Sequence, residues 1–179
     1  ALLVLNHEYT DEHLLHPDGA TPPTTAKVRK SQHAVGVSVI EIARDPTGWR
    51  QVLPSRHARR IHANTPMALS GPAAGSRLLQ TSLDPSGRQV LGTLANCAMG
   101  VTPWGTYLTC EENFHGYFGA DKGAGASPDA ATRRYGTVAG GQWVDWYRFD
   151  ERFDLLKHPN EPHRFGWVVE IDPMDPTST

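Results

Sequence analysis

The stretch Val35-Gly-Val-Ser-Val-Ile-Glu-Ile-Ala43, followed by Asp45-Pro-Thr-Gly48 and Trp49-Arg-Gln-Val-Leu53, reads as a strand, a turn and a returning strand. Val35, Val37, Val39 and Glu41 fall on one face and Gly36, Ser38, Ile40 and Ile42 on the other, the period of two that a pleated strand imposes. Proline pre-sets the first central φ of the turn and glycine supplies its left-handed position, so 49–53 is predicted to pair antiparallel with 35–43. The same device recurs at Asp84-Pro-Ser-Gly87, between 77–83 and 89–93, and predicts a second hairpin there. Further strands are expected at 105–109, 143–149, 153–156 and 165–172. Repeated hairpins without long interleaved helices place the chain in the mainly β class, built of antiparallel hairpins, and argue against a wound α/β sheet.

Two regions depart from this pattern. Residues 10–27 hold His13, Leu14, Leu15 and His16 before a proline-rich run and accommodate one helical turn. Residues 121–134 are rich in Gly and Ala, and Ser127-Pro128 is placed to cap a short helix. Both read as long loop insertions. Neither glycine cluster ends in Gly-Lys-Ser/Thr or follows a strand with G-x-G-x-x-G spacing, so a nucleotide loop is unsupported.

The 179 residues suffice for one domain burying roughly 70% of the unfolded chain's surface. A formal net charge of −2 and a pI near 6.5 provide no field for a polyanion, which excludes nucleic acid as an expected partner. The one cationic cluster, Arg56-His-Ala-Arg-Arg-Ile-His62, reads as a solvated loop. No apolar run reaches the about 18 residues a membrane span requires, and no charged segment with an apolar core and cleavage site opens the chain. Nine histidines are many for this length, yet His7-Glu-Tyr-Thr-Asp11 is not the two-histidine zinc motif, and each His reads as a hydrogen-bonded structural residue.

Chemistry concentrates in Asn96-Cys-Ala-Met-Gly-Val-Thr-Pro-Trp-Gly-Thr-Tyr-Leu-Thr-Cys-Glu-Glu-Asn113, where a thiol, adjacent carboxylates and two carboxamides surround an apolar run. Strand alternation turns Glu111 and Glu112 to opposite sides, so only one of them faces a shared site, which Cys97 is expected to reach from the preceding loop. Soft sulfur favours iron, copper or zinc, whereas clustered oxygens suit calcium, magnesium or manganese. Two readings stay open on the residues alone. One is a mixed metal cluster. The other is a Cys97–Cys110 disulfide closing a hairpin, with the glutamates as solvated edge residues. Glu8 follows an apolar strand and leads a loop, where a carboxylate can aim into a channel.

The 96–113 block, together with Asn6-His-Glu-Tyr-Thr10 and Arg164-Phe-Gly-Trp-Val-Val-Glu-Ile-Asp-Pro173, resembles the PhoX-type secreted alkaline phosphatases, with the blocks in that family's order. The resemblance covers essentially the whole chain and matches a front-middle portion of a larger protein. It implies that residues 1–179 form a single β-rich segment of a β-propeller, in an exported protein that is periplasmic or secreted. It implies a hydrolase acting on phosphate monoesters through a cluster of ferric iron (Fe³⁺) and calcium. Carried onto matching positions, Cys97 is an iron ligand, Glu112 an iron-binding carboxylate, Glu170 another carboxylate ligand and Glu8 a calcium ligand. It also implies that phosphate-contacting basic residues and further carboxylates come from a later part of the family's chain. The reading from another functional class is a non-catalytic calcium-binding or ligand-binding propeller module.

Overall fold

The structure, a computed structural model, describes residues 1–178. Strand β2 (Gly36–Asp45) is the organising element. Strand β1 (Leu2–His7) pairs antiparallel along one edge, from Leu2 opposite Glu41 to His7 opposite Gly36. On the other edge β3 (Gly48–Gln51) and β4 (Arg59–Ile61) follow one another, both antiparallel. Val35, Val37 and Val39 on one face are at 0–1% exposure, and Gly36 and Ser38 on the other are buried as well. The first Asp-Pro-Thr-Gly turn joins β2 to β3 as predicted, with Asp45 opposite Gly48.

The second Asp-Pro turn does not join a hairpin. Strand β6 (Gln89–Gly92) pairs instead with β5 (Thr65–Ala68), and the expected strand at 77–83 is a 3-10 turn at Arg77–Leu79 followed by irregular chain. The Asp84 side chain turns inward and accepts the backbone N–H groups of Ser86, Arg88 and Gln89, which organises a wide loop rather than a tight reversal. The third sheet holds β7 (Asn96–Val101), β8 (Tyr107–Glu111) and β9 (Val168–Ile171) in that order, all antiparallel.

Other expectations are corrected. Residues 143–149 form no strand but a 3-10 turn at Trp146–Arg148, in which the consecutive side chains Trp146 and Tyr147 are both buried. Residues 153–156 contribute one isolated bridge, Gly119 to Asp154. The helical turn expected within 10–27 is α1 (Glu12–Leu15), capped by Asp11. Helix α2 (Thr25–Ala34), capped by Thr24, was not anticipated, because its buried positions Val28, Ser31 and Gln32 include one apolar residue and leave no hydrophobic period to read. The helix in the 121–134 segment is α3 (Ala130–Arg134), capped by Asp129 rather than by Ser127.

The Arg-rich segment is not a solvated loop. Arg60 donates to the carbonyls of His33, Ala34 and Val35, satisfying the orphan acceptors at the end of α2, and Arg59 donates to the Asp172 carbonyl. Similar arginine forks stitch the interior. Buried Arg152 donates to Leu91 and Ala63 carbonyls, buried Arg164 to those of Leu79 and Gln89, and both flank buried Glu161. Around this network packs an aromatic core of Trp146, Phe118, Phe153 and Phe165, with ring centroids 5.1–5.6 Å apart along the chain of contacts.

Candidate functional site

The site begins where β1 meets β7. Between the pairs Asn96–Glu111 and Met99–Thr109 the β7–β8 ladder slips, so Cys97 and Ala98 lie in a bulge. Cys97 thus belongs to a strand rather than to the preceding loop, and the bulge re-aims its side chain. Within the bulge, Asn6 donates Nδ2 to the Cys97 carbonyl at 2.9 Å. The other end of Asn6 accepts Tyr107 Oη at 2.9 Å. One carboxamide therefore locks β1 against β7 and β8, and the chain leaving β1 carries Glu8 to the thiol.

Cys97 is exposed, and the carboxylates of Glu112 and Glu8 lie beside its thiol. The adjacent Glu112 carboxylate, then limited burial and the two negative charges, push its pKa above the ordinary thiol value. Asn113, in the left-handed conformation at φ 49°, donates Nδ2 to Glu112 Oε1 at 3.1 Å, and the Glu112 N–H bonds the Ala95 carbonyl at 2.8 Å. Cys110 is also a free thiol, so the disulfide reading does not hold.

Glu111 and Glu112 do face opposite sides. Glu111 accepts Thr93 Oγ1 at 2.6 Å and the N–H groups of Gly166 and Trp167 at 2.9 and 3.3 Å. Burial pushes its pKa up to about 7 against the pull of these bonds. Asn96, fully buried, donates to the same Thr93 hydroxyl, so a hydrogen-bonded chain runs behind the thiol from Asn96 through Thr93 and Glu111 to the loop before β9.

Of the four residues proposed from the sequence, Cys97, Glu112 and Glu8 are brought together. Glu170 is not. It stands opposite Leu108 and accepts Trp104 Nε1 at 2.8 Å and Thr106 Oγ1, which hold its pKa below the usual carboxylate value. Among the described residues no group of three or more His, Cys, Asp or Glu side chains, Cys97, Glu8 and Glu112 included, is arranged to hold a metal ion. Sequence reasoning missed Asn6, whose role depends on the bulge. It also missed an adjoining cavity of about 400 Å³, lined by Glu8, Tyr9, Thr10, Glu12, Ala95, Asn113, Tyr117, Trp143 and Val144. The segments that form that cavity lie far apart in sequence, and 143–149 had been read as a strand.

The family model for alkaline phosphatase PhoX matches residues 1–179. A solved structure described as Pseudomonas fluorescens PhoX in complex with vanadate, a transition state analogue, superposes with a TM-score of 0.95 at 52% sequence identity, covering 99% of this chain. The chain spans 30% of the length of that protein. No curated protein sequence matches significantly. With a family model matched end to end and a relative more than half identical across nearly every residue, the chain belongs to the PhoX alkaline phosphatase family.

Proposed function

We propose that this chain is a segment of a metal-dependent phosphatase that hydrolyses phosphate monoesters and releases inorganic phosphate, in a periplasmic or secreted protein. The observation that carries the proposal is the meeting of Cys97, Glu8 and Glu112, from three separated parts of the sequence, in a chain 52% identical to a vanadate-bound PhoX. Its three antiparallel sheets are read as parts of propeller blades, and 1–179 as one portion of a larger domain.

The residue types suit a multivalent cation, while their arrangement among the described residues does not form a metal site without further groups. A thiolate beside two carboxylates gathers negative charge at an exposed position, and a cation relieves that repulsion where no arginine or lysine of the cluster does. Sulfur suits iron, and hard carboxylate oxygens suit both Fe³⁺ and calcium. Three donors do not close a coordination shell, so other groups have to complete it, and Glu170 joins only by releasing Trp104 and Thr106. When bound, such cations supply charge neutralisation for the phosphoryl oxygens.

This chain's own contribution is positional. Asn6 fixes the bulge that presents the Cys97 thiol, Asn113 steers the Glu112 carboxylate, and Glu111 ties the back of β8 to the loop before β9. A calcium-binding module without catalysis would use oxygen donors alone, and the thiol at the centre of the cluster favours the phosphatase reading. The test is hydrolysis of an aryl phosphate by the full-length protein loaded with iron and calcium. Turnover that survives Cys97→Ala intact contradicts the assignment, and no turnover by the metal-loaded wild type returns the chain to the binding-module class.

A further inference from the structure

The cavity beside the cluster shares Glu8, Ala95 and Asn113 with it, so a group seated in the cavity lies next to whatever the cluster holds. Three aromatic side chains wall it: Tyr9 on the rim, Tyr117 in the floor and Trp143 at the side. Trp143 is firmly seated. Its ring lies so close over Gly116 that a Cβ there would stand 2.3 Å from it, and Tyr117 meets it edge to face at 6.1 Å. Even so, 52% of Trp143 remains exposed. A second carboxylate, Glu12, also lines the cavity and is held in place by Thr10, His16 and Ser31.

Tyr117 is 4% exposed, yet its hydroxyl has no hydrogen-bond partner among the described residues. The side chain is buried while its hydroxyl stays accessible from the cavity, where it can meet a ligand. Aromatic faces, a phenol oxygen with free lone pairs and fixed carboxylates share one preferred guest, an organic cation.

We infer that this cavity is the subsite for the organic group of the ester and that it selects a cationic one, the ammonium of an amino-alcohol phosphate monoester. The inference rests on the phosphatase reading above and adds its substrate class. With the phosphoryl group at the cluster, the ammonium lies against Trp143 and Tyr117, facing Glu12. A neutral apolar group gains the contact with Trp143 and Val144 but brings no charge to Glu12, which Thr10, His16 and Ser31 hold at the cavity wall.

The experiment compares, in the metal-loaded full-length protein, kcat/KM for choline phosphate and for the isostere in which carbon replaces the quaternary nitrogen. The two esters match in shape and differ in charge. The expected result is a preference of about tenfold for the charged ester, the size of a desolvated cation–π contact, falling to about one in Trp143→Ala. Inhibition by inorganic phosphate, which has no organic group, should stay within about twofold in that variant. Should Trp143→Ala not fold, Trp143→Phe retains the packing on Gly116 and is expected to reduce the preference partway. Equal kcat/KM values for the two esters, or a preference for the isostere, overturn the cation assignment. A preference untouched by both variants overturns the placement in this cavity, as does a large shift in phosphate inhibition. If the wild type hydrolyses neither these esters nor an aryl phosphate, the phosphatase reading itself fails and the inference with it.

Discussion

Asp84→Asn separates two turns that look alike in the sequence. The Asp84 carboxylate is 13% exposed and accepts Arg88 N–H and Gln89 N–H at 2.8 Å each through Oδ2, Ser86 N–H at 3.0 Å through Oδ1, and Arg164 Nη1 at 3.3 Å. Burial alone would raise its pKa, but the bonds from Ser86, Gln89 and Arg88 outweigh it and hold the group well below the usual carboxylate range. Asparagine keeps one acceptor and turns an NH₂ donor towards other donors. Losing two acceptor bonds at about 1 kcal/mol each, and the charge facing Arg164, amounts to about 3 kcal/mol. Because the folded pKa is depressed, this stabilisation is fully present above the unfolded value of 3.8 and is lost as pH falls through the folded pKa. Urea unfolding from about pH 8 down to about pH 3 should therefore show a constant gap between wild type and variant above about pH 5, narrowing below about pH 4. Asp45→Asn, whose half-buried carboxylate serves Thr47 and Arg50 at the hairpin tip without a buried arginine against it, should cost clearly less. A gap that ignores pH, or equal losses at the two turns, would refute the reasoning.

Gly36→Ala should lower stability by more than about 3 kcal/mol, since the residue sits at φ +100° and its Cβ would meet the Ile61 carbonyl oxygen at 2.1 Å; circular-dichroism melting checks it. Alkylation without reductant followed by intact mass measurement should label two thiols, and one unlabelled pair would mean that Cys97 and Cys110 are bridged. Glu111→Gln removes an acceptor from Thr93, Gly166 or Trp167 and should cost about 2 kcal/mol in urea while iron content is kept, whereas Glu112→Gln should leave the urea midpoint in place and lose iron. The isolated 1–179 chain should bind iron and calcium weakly and turn over an aryl phosphate poorly, measured beside the full-length protein.

The β2–β3 hairpin was legible because one short segment carries both its alternation and its turn chemistry, and the same segment is the centre of the first sheet. The second Asp-Pro-x-Gly segment carries an identical local signal, yet its outcome is decided by Arg164, 80 residues away, which meets Asp84 in the interior. Trp146 and Tyr147 read as strand residues by composition, but their burial follows from packing with Tyr117 and Phe153. Within the site, Cys97, Glu112 and Glu8 were named from residues and a family resemblance. The bulge, the Asn6 clasp and the aromatic cavity depend on contacts across about 90 residues or more of sequence separation or between loops, which no local pattern encodes.

The most direct measurement takes the full-length protein, loaded with iron and calcium, and compares Glu112→Gln with wild type for bound iron and for aryl phosphate turnover in the same preparation. Glu112 is exposed, accepts from Asn113 and lies beside the Cys97 thiol, so the substitution changes the cluster with little effect on folding. The account expects iron to fall and kcat/KM to drop by more than about 100-fold, beyond the about 10–100-fold typical of groups that only support a metal ligand. Wild-type iron content with undiminished turnover would contradict it.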